Sequence, residues 1–219
     1  MKQSRMLTFK EDCRRCSRLA GFLDGVRLER PDYHALPVSS FGVPGSGFLI
    51  VGLAPGMHGA NRTGRPFSGD YAGNLLYGTL HKYGFASSAE PLDAAGNANP
   101  ALHLTGCRIT NAVRCLPPQN KPEPDEIRNC NGYLEEELAA LPQGAVVMAL
   151  GTVAHQAVLT ALGLRKSSFA FAHGAQRELP GGMTLFDSYH CSRYNTQTKR
   201  LTTAMFEAVV GNIAKHLER

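Results

Sequence analysis

The residues from Gly52 to Asp70 read G-L-A-P-G-M-H-G-A-N-R-T-G-R-P-F-S-G-D: five glycines, two prolines, two arginines and a single closing carboxylate, Asp70. Glycine lacks the Cβ that holds a ligand away from the backbone, so such a loop offers main-chain donors at close range and one carboxylate to a reaction. The apolar run 48–51 precedes it and reads as a buried strand. Loops at the carboxyl ends of strands are where α/β proteins keep their chemistry. A second polar segment, 190–200, opens with His190 and carries Arg193, Asn195, Lys199 and Arg200. The six cysteines supply the third candidate. Cys13 and Cys16 form a C-x-x-C pair, with Cys115 and Cys130 farther along. Two thiolates on one side of a turn suit a tetrahedral metal or one corner of a cluster. Spacing leaves zinc and iron–sulfur equally open, with a redox dithiol as a weaker third reading. Cys107 reads as a small buried hydrophobe. Cys191 is either packed or part of the polar segment.

The elements that must position these residues alternate in type. Strands are expected at 48–53, 107–113, 145–150 and 183–189, and helices at 13–28, 74–83, 125–141, 151–162 and 201–217. Segments 31–47, 91–102 and 116–124 carry the breakers of irregular excursions, and 190–200 reads as a polar loop. Four strands alternating with helices predict a parallel sheet covered on both faces. Right-handed crossovers then bring the loops 54–70, 114–122 and 190–200 to one edge of that sheet.

At 219 residues with 43% apolar content, the chain can bury a full core and is expected to be one domain. No apolar run approaches the roughly 20 residues needed to span a bilayer, and residues 1–11 lack the apolar centre of a signal peptide, so a cytosolic protein is expected. A net charge of +5 places Arg14, Arg15 and Arg18 near the first cysteines, Arg62 and Arg65 in the glycine loop, and Arg193 and Arg200 near the end. A basic surface attracts phosphate backbones by counterion release, although many ordinary enzymes carry this charge.

Together, the G-L-A-P-G-x-H-G-x-N-R-T-G-R-x-F-x-G-D loop, the four cysteines and H-C-S-R-Y-N-T-Q-T-K-R-L from His190 to Leu201 resemble the family 5 (type b) uracil-DNA glycosylases. The likeness runs through nearly the whole chain in order. It implies a three-layer α/β/α fold with a central four-stranded parallel sheet. It also implies a structural [4Fe-4S] cluster on Cys13, Cys16, Cys115 and Cys130, tying residues 1–47 to the rest of the domain.

Breaking a deoxyribose N-glycosidic bond builds positive charge on the sugar and negative charge on the departing base. A carboxylate and a water are wanted on the sugar side, and hydrogen-bond donors on the base side. The resemblance implies that Asp70 positions the water and that Asn120 lies near water and sugar. It implies that His190 donates to the O2 edge of the base, that Phe67 stacks on the extruded base and that the Gly56 backbone lines the pocket. Asp70 read by itself is also a good helix N-cap, and Asn120 a turn residue. Leu53 and Ala54 are apolar where related families carry a polar catalytic residue, which shifts the burden onto Asp70. Asn111 departs from the small residue usual in family 5. Its amide can offer both donor and acceptor to the O4 and N3 edge of uracil, which implies a sharper preference for that base. Arg62, Arg65, Arg193, Asn195 and Arg200 are the expected DNA contacts, and the 192–200 loop the segment that presses into the groove. Lys199 stands where a glycine is usual.

The implied activity is removal of uracil, and of hypoxanthine and related deaminated bases, from duplex DNA by a monomeric enzyme of the prokaryotic cytoplasm and nucleoid. A uracil-DNA binding protein without turnover is the alternative. A cluster-bearing nucleotide-binding redox protein is weaker, because the loop lacks G-x-G-x-x-G.

Overall fold

In the computed structural model, which describes residues 8–218, the four apolar runs become strands whose side chains are buried alternately on both faces. The elements in chain order are α1 (Ser17–Glu29), β1 (Phe41–Gly42), β2 (Phe48–Gly52), α2 (Ala60–Thr63), α3 (Tyr71–Lys82), β3 (Cys107–Asn111) and α4 (Pro124–Ala139). There follow β4 (Val146–Leu150), α5 (Thr152–Ala161), β5 (Gln176–Glu178), β6 (Thr184–Ser188), α6 (Arg193–Gln197) and α7 (Thr203–Leu217). The sheet order is β1-β3-β2-β4-β6-β5, with β3, β2, β4 and β6 parallel.

The expected four-stranded parallel sheet is therefore the centre of a six-stranded one. Its two edges are the very short antiparallel strands β1 and β5. Neither has the length or alternation that marks a strand in sequence, and short edge strands also limit pairing with other chains. Three further differences are local. Helix α1 begins at Ser17 rather than Cys13, leaving the C-x-x-C pair ahead of it. Helix α3 begins at Tyr71, earlier than its apolar spacing suggests, and the polar segment after His190 contains the one-turn helix α6, capped by Ser192.

Alternation sorts the core into two layers. Phe48, Ile50, Met148, Leu150 and Phe186 point to the face covered by Leu76 and Leu80 of α3 and Phe206, Val210 and Ile213 of α7. Leu49, Val51, Val147, Ala149 and Leu185 point to the opposite face, against Leu134 and Leu138 of α4 and Ala154 and Val158 of α5. Strands buried on both faces read as continuous apolar runs, which is why they were legible. Register then does the positional work. Gly52 of β2 pairs with Asn111 of β3, and Leu150 of β4 with Ser188 of β6, so the strands end along one edge.

Helix α1 packs outside this sandwich. Its Arg18 makes a bidentate bond to the buried Glu126 of α4, both contacts 2.8 Å, while Glu126 and Glu123 form the capping box that starts α4. On the far side, Glu137 of α4 receives Arg108 at 2.6 Å and Arg114 at 2.7 Å. Burial works against the Glu137 charge, but the bonds from Arg108 and Ser40 and the Arg114 charge hold its carboxyl below the ordinary range.

Beneath β6 lies a fully buried pair, His155 Nδ1 to Asp187 Oδ1 at 2.7 Å, with His155 Nε2 2.8 Å from the Phe169 carbonyl. Both ring nitrogens face acceptors, so the ring is satisfied only with a proton on each. Burial alone would lower its pKa, and the bonds to Asp187 and Phe169 outweigh it and raise it. The stabilisation is thus complete below the ordinary histidine value near 6.5 and fades as pH rises through the raised one. His155→Ala leaves Asp187 buried without its partner and is expected to cost about 3–5 kcal/mol at pH 6. Urea melts should show the gap from the native chain narrowing toward pH 9.

Candidate active site

The site is built where β2, β3 and β6 run out, and close approach is its organising feature. Asp70 occupies the N-cap position of α3, yet its side chain makes no capping bond. The carboxylate instead lies against the backbone of the glycine loop. A Cβ on Gly56 would stand 2.7 Å from Asp70 Oδ2, and one on Gly59 would overlap the carboxylate outright. The N-cap account of Asp70 therefore holds for its backbone alone. Burial pushes its carboxyl up from the ordinary range, while His58 and Arg62 act in the opposite direction.

Phe67 is reached by the same device. Its φ is +58°, and its carbonyl oxygen abuts Gly73 of α3 so closely that any Cβ there would overlap it. The ring edge lies over Gly52, where a Cβ would be 2.7 Å from Cζ, beside the Asn111 side-chain oxygen. That oxygen is buried and has no hydrogen-bond partner among the described residues. The Phe67 ring stacks on the His190 imidazole, centroids 5.9 Å apart and planes 28° apart. Phe67 therefore lies beside both Asn111 and His190, bringing together three distant segments of the chain.

His190 follows β6 and packs on Gly151, and its carbonyl accepts a 2.8 Å bond from Asn195 Nδ2. Among the described residues nothing hydrogen-bonds its ring. Burial lowers its pKa to about 4, so the imidazole is neutral near pH 7 and carries a single N–H to donate. Behind it, the Tyr189 amide donates to His173 Nδ1 at 3.1 Å, with the two rings stacked at 4.9 Å and the Arg200 guanidinium 4.5 Å over Tyr189. Sequence spacing contained no signal for His173, which lies in an irregular stretch 17 residues before His190.

The remaining expected residues divide into two groups. Arg193 and Arg200 are exposed, and Arg193 lies 5.4 Å over the ring of Tyr71. Arg62 and Arg65, by contrast, are used as pins: Arg62 donates to the carbonyls of His58 and Gly96, and Arg65 to Asn99 at 2.6 Å while covering Phe41. Asn195 is committed to His190. Asn120 is exposed on a tight turn with φ +56°, and no side-chain hydrogen bond among the described residues joins it to Asp70 or His190. Lys199 adopts φ +57°, the left-handed conformation for which glycine is the easy choice. Tyr194, 71% exposed on α6 between these cations, is a large aromatic that the sequence reading passed over.

The four cysteines meet although more than a hundred residues separate the first from the last. Cys13, Cys16, Cys115 and Cys130 line one cavity with Leu19, Val113 and Tyr133. Tyr133 donates to Cys13 Sγ at 3.4 Å, Asn129 to Cys16 at 3.6 Å and the Arg114 amide to Cys130 at 3.4 Å. Burial raises the thiols of Cys115 and Cys130, the latter to about 11, and mutual repulsion adds to both. Cys115 and Cys130 are therefore stable as thiolates here only beside a positive group. Among the described residues, no three His, Cys, Asp or Glu side chains close on a point that would hold one metal ion.

With this geometry in view, the comparisons decide the family. A family model, "Uracil DNA glycosylase superfamily", matches residues 39–214. A type-5 uracil-DNA glycosylase of Thermus thermophilus is 49% identical over 203 residues, 90% of each chain. The chain belongs to the type-5 uracil-DNA glycosylases. The type-5 protein of Mycobacterium leprae is 38% identical over 93% of this chain and 90% of its own length. A type-4 uracil-DNA glycosylase of Sulfurisphaera tokodaii is 26% identical over 76% of this chain. No helix among the described residues of this type-5 chain is long and apolar enough to cross a membrane.

The neutral state of His190 yields a stability test. A lowered pKa means that the unfolded chain takes up this proton first, so stability falls as pH drops from about 6.5 toward 4. His190→Gln is expected to remove roughly 2–3 kcal/mol of that acid-side loss. Denaturant melts of both chains at pH 7 and pH 4.5 measure it.

Proposed function

We propose that the chain hydrolyses the N-glycosidic bond of uracil in DNA, leaving an abasic site for repair. The observation that carries this is the joint placement of a neutral His190, the Phe67 ring and the Asn111 oxygen around Gly52, with a partly desolvated Asp70 held against Gly56 and Gly59 of the same glycine loop. Each answers one need of the reaction. Asp70, held against glycine backbone, orients a water and stabilises the cationic sugar of the transition state. Its own position is over-determined by Gly56 and Gly59, so little reorganisation is needed at the moment of reaction. His190, having one N–H and no charge to lose, donates to O2 as negative charge develops on the base. Phe67 stacks on the base, a contact worth about 1–3 kcal/mol and indifferent to base identity. Asn111 then supplies the discrimination, its amide facing the N3 and O4 edge of uracil. Asn120 comes close to sugar and water once DNA is seated.

On the DNA side, Arg193 and Arg200 contact phosphates on either side of the extruded nucleotide, and Tyr194 fills the vacated stack. Arg62 and Arg65 shape the loop first and touch DNA through what their pins leave free. Extrusion costs a few kcal/mol and least at a mispair, so duplex U·G is the favoured substrate, with hypoxanthine accepted more weakly. The enzyme is read as a monomer acting in the prokaryotic cytoplasm at the nucleoid. Cys13, Cys16, Cys115 and Cys130 would hold a [4Fe-4S] cluster whose chemistry is structural, closing residues 1–47 onto the single domain. Residues 1–7 of that segment lie outside the described residues. The shared cavity, the three donors to sulfur and the charge the thiols require support this reading.

Single-turnover incubation with an oligonucleotide bearing one U·G pair, followed by alkali, is expected to give strand breaks. Asp70→Asn and His190→Ala should each slow them by roughly 10²-fold or more. Tight binding with no alkali-labile product would instead identify a protein that holds uracil-DNA without turnover. Asn111→Ala is expected to lower the preference for uracil over hypoxanthine roughly ten-fold, and an unchanged ratio would remove its assigned role. Anaerobically purified protein should carry about four iron and four sulfide per chain, lost in Cys115→Ser together with a fall in Tm.

A further inference from the structure

The segment that follows α1 is docked onto the glycine loop rather than beside it. His34 and Ala35 donate their amides to the carbonyls of Arg62 and Asn61, each at 3.0 Å, joining this segment to α2 by two backbone bonds. Arg27 of α1 reaches the Ala35 carbonyl at 2.9 Å, and the His34 ring packs on Gly64. Below, Tyr33 and Met57 pack on the same apolar cluster as Leu23, Val26, Leu116 and Cys115. The chain that carries the C-x-x-C pair is thus in register with the loop that ends at Asp70.

One side-chain contact extends this docking toward the site. The Tyr33 hydroxyl lies 2.8 Å from His58 Nδ1, with the two rings nearly perpendicular at 88°. His58 precedes Gly59, the residue against which the Asp70 carboxylate rests, and its carbonyl oxygen lies against Gly69. A tyrosine hydroxyl both donates and accepts, so Tyr33 keeps hold of His58 whether the imidazole is neutral or charged. The same contact therefore holds the ring in either protonation state.

We propose that Tyr33 and His58 form a positioning pair for the Asp70 carboxylate, through which the cysteine-bearing amino-terminal segment contributes a side chain to the reaction site. The proposal rests on the reading of Asp70 as the carboxylate that orients the water. The groups facing Asp70 are His58 and Arg62 from the glycine loop and Cys191 from the segment after β6. Arg62 is a constant charge and Cys191 is held neutral by burial, its pKa raised to about 12. His58, an imidazole able to carry or release a proton, is the remaining member of this set. His58 itself faces Tyr33, whose ring lies under the Arg30 guanidinium at 5.8 Å, and Arg62, which donates to its carbonyl. Charged His58 favours the Asp70 carboxylate against burial, and Tyr33 keeps that charge aimed.

The test is the pH profile of single-turnover uracil release by the intact chain, compared with His58→Gln and Tyr33→Phe. His58→Gln is expected to move the acid limb upward, so that its loss at pH 5 exceeds its loss at pH 8 by roughly three- to ten-fold. Tyr33→Phe should move the limb the same way by less, because the charge survives but its placement does not. Coupling is reciprocal, so Asp70→Asn must lower the pKa of His58, read by NMR titration of histidine-labelled protein without any substrate. Losses equal at the two pH values, or a His58 titration indifferent to Asp70→Asn, would overturn the pair. Should the native chain release no uracil, the glycosylase reading fails while the NMR titration still decides whether the two groups are coupled.

Discussion

Everything at the active edge depends on how closely two side chains can approach a backbone that has no Cβ. Gly56 and Gly59 make room for the Asp70 carboxylate, and Gly52 and Gly73 make room for the Phe67 ring and its carbonyl. Interiors are packed too tightly for these positions to relax around a methyl group, so each glycine specifies a distance rather than a flexibility. The cost is a left-handed Phe67 at φ +58°, which persists because the loop around it is pinned by Arg62 and Arg65 to the excursion at Gly96 and Asn99. Arginines that looked like phosphate ligands are first the fasteners of the site.

The same burial produces opposite electrostatic outcomes in two histidines, depending on what each one meets. His155 meets a carboxylate and a carbonyl, which favour its protonated form beneath β6. His190, a few residues beyond the end of that strand, meets an aromatic ring and a glycine and is held neutral. A neutral donor is what an anionic leaving group needs, because its hydrogen bond strengthens as charge develops without the prior cost of burying an imidazolium. The His155–Asp187 pair, by fastening α5 to β6, keeps the strand that delivers His190 in place.

The cysteine cavity joins these parts from outside the sandwich. Arg18 on Glu126 ties α1 to the start of α4, and the Arg114 amide ties β3's exit to Cys130. From the same helix the segment through Tyr33 and Ala35 descends onto α2. A group bound by the four thiols would thus brace the glycine loop.

The sequence by itself determined the parallel sheet, its two-layer core and the glycine-rich loop at its edge, for a physical reason. Strands buried on both faces must be apolar throughout, and a loop that must approach a ligand must be rich in glycine, so both constraints act on local residue types. The glycine loop closing on Asp70 was legible in that way, while Phe67, Asn111, His190 and the set of four cysteines were singled out by the family resemblance. What only the tertiary structure decided are the relations between segments. These include the edge strands β1 and β5, too short to have a pattern, and the diversion of Arg62, Arg65 and Asn195 to internal carbonyls. They also include the stacking of Tyr189 on His173 and the contact of Tyr33 with His58. Whether an arginine faces solvent or a carbonyl, and whether a histidine is charged, depends on neighbours that arrive from distant parts of the chain.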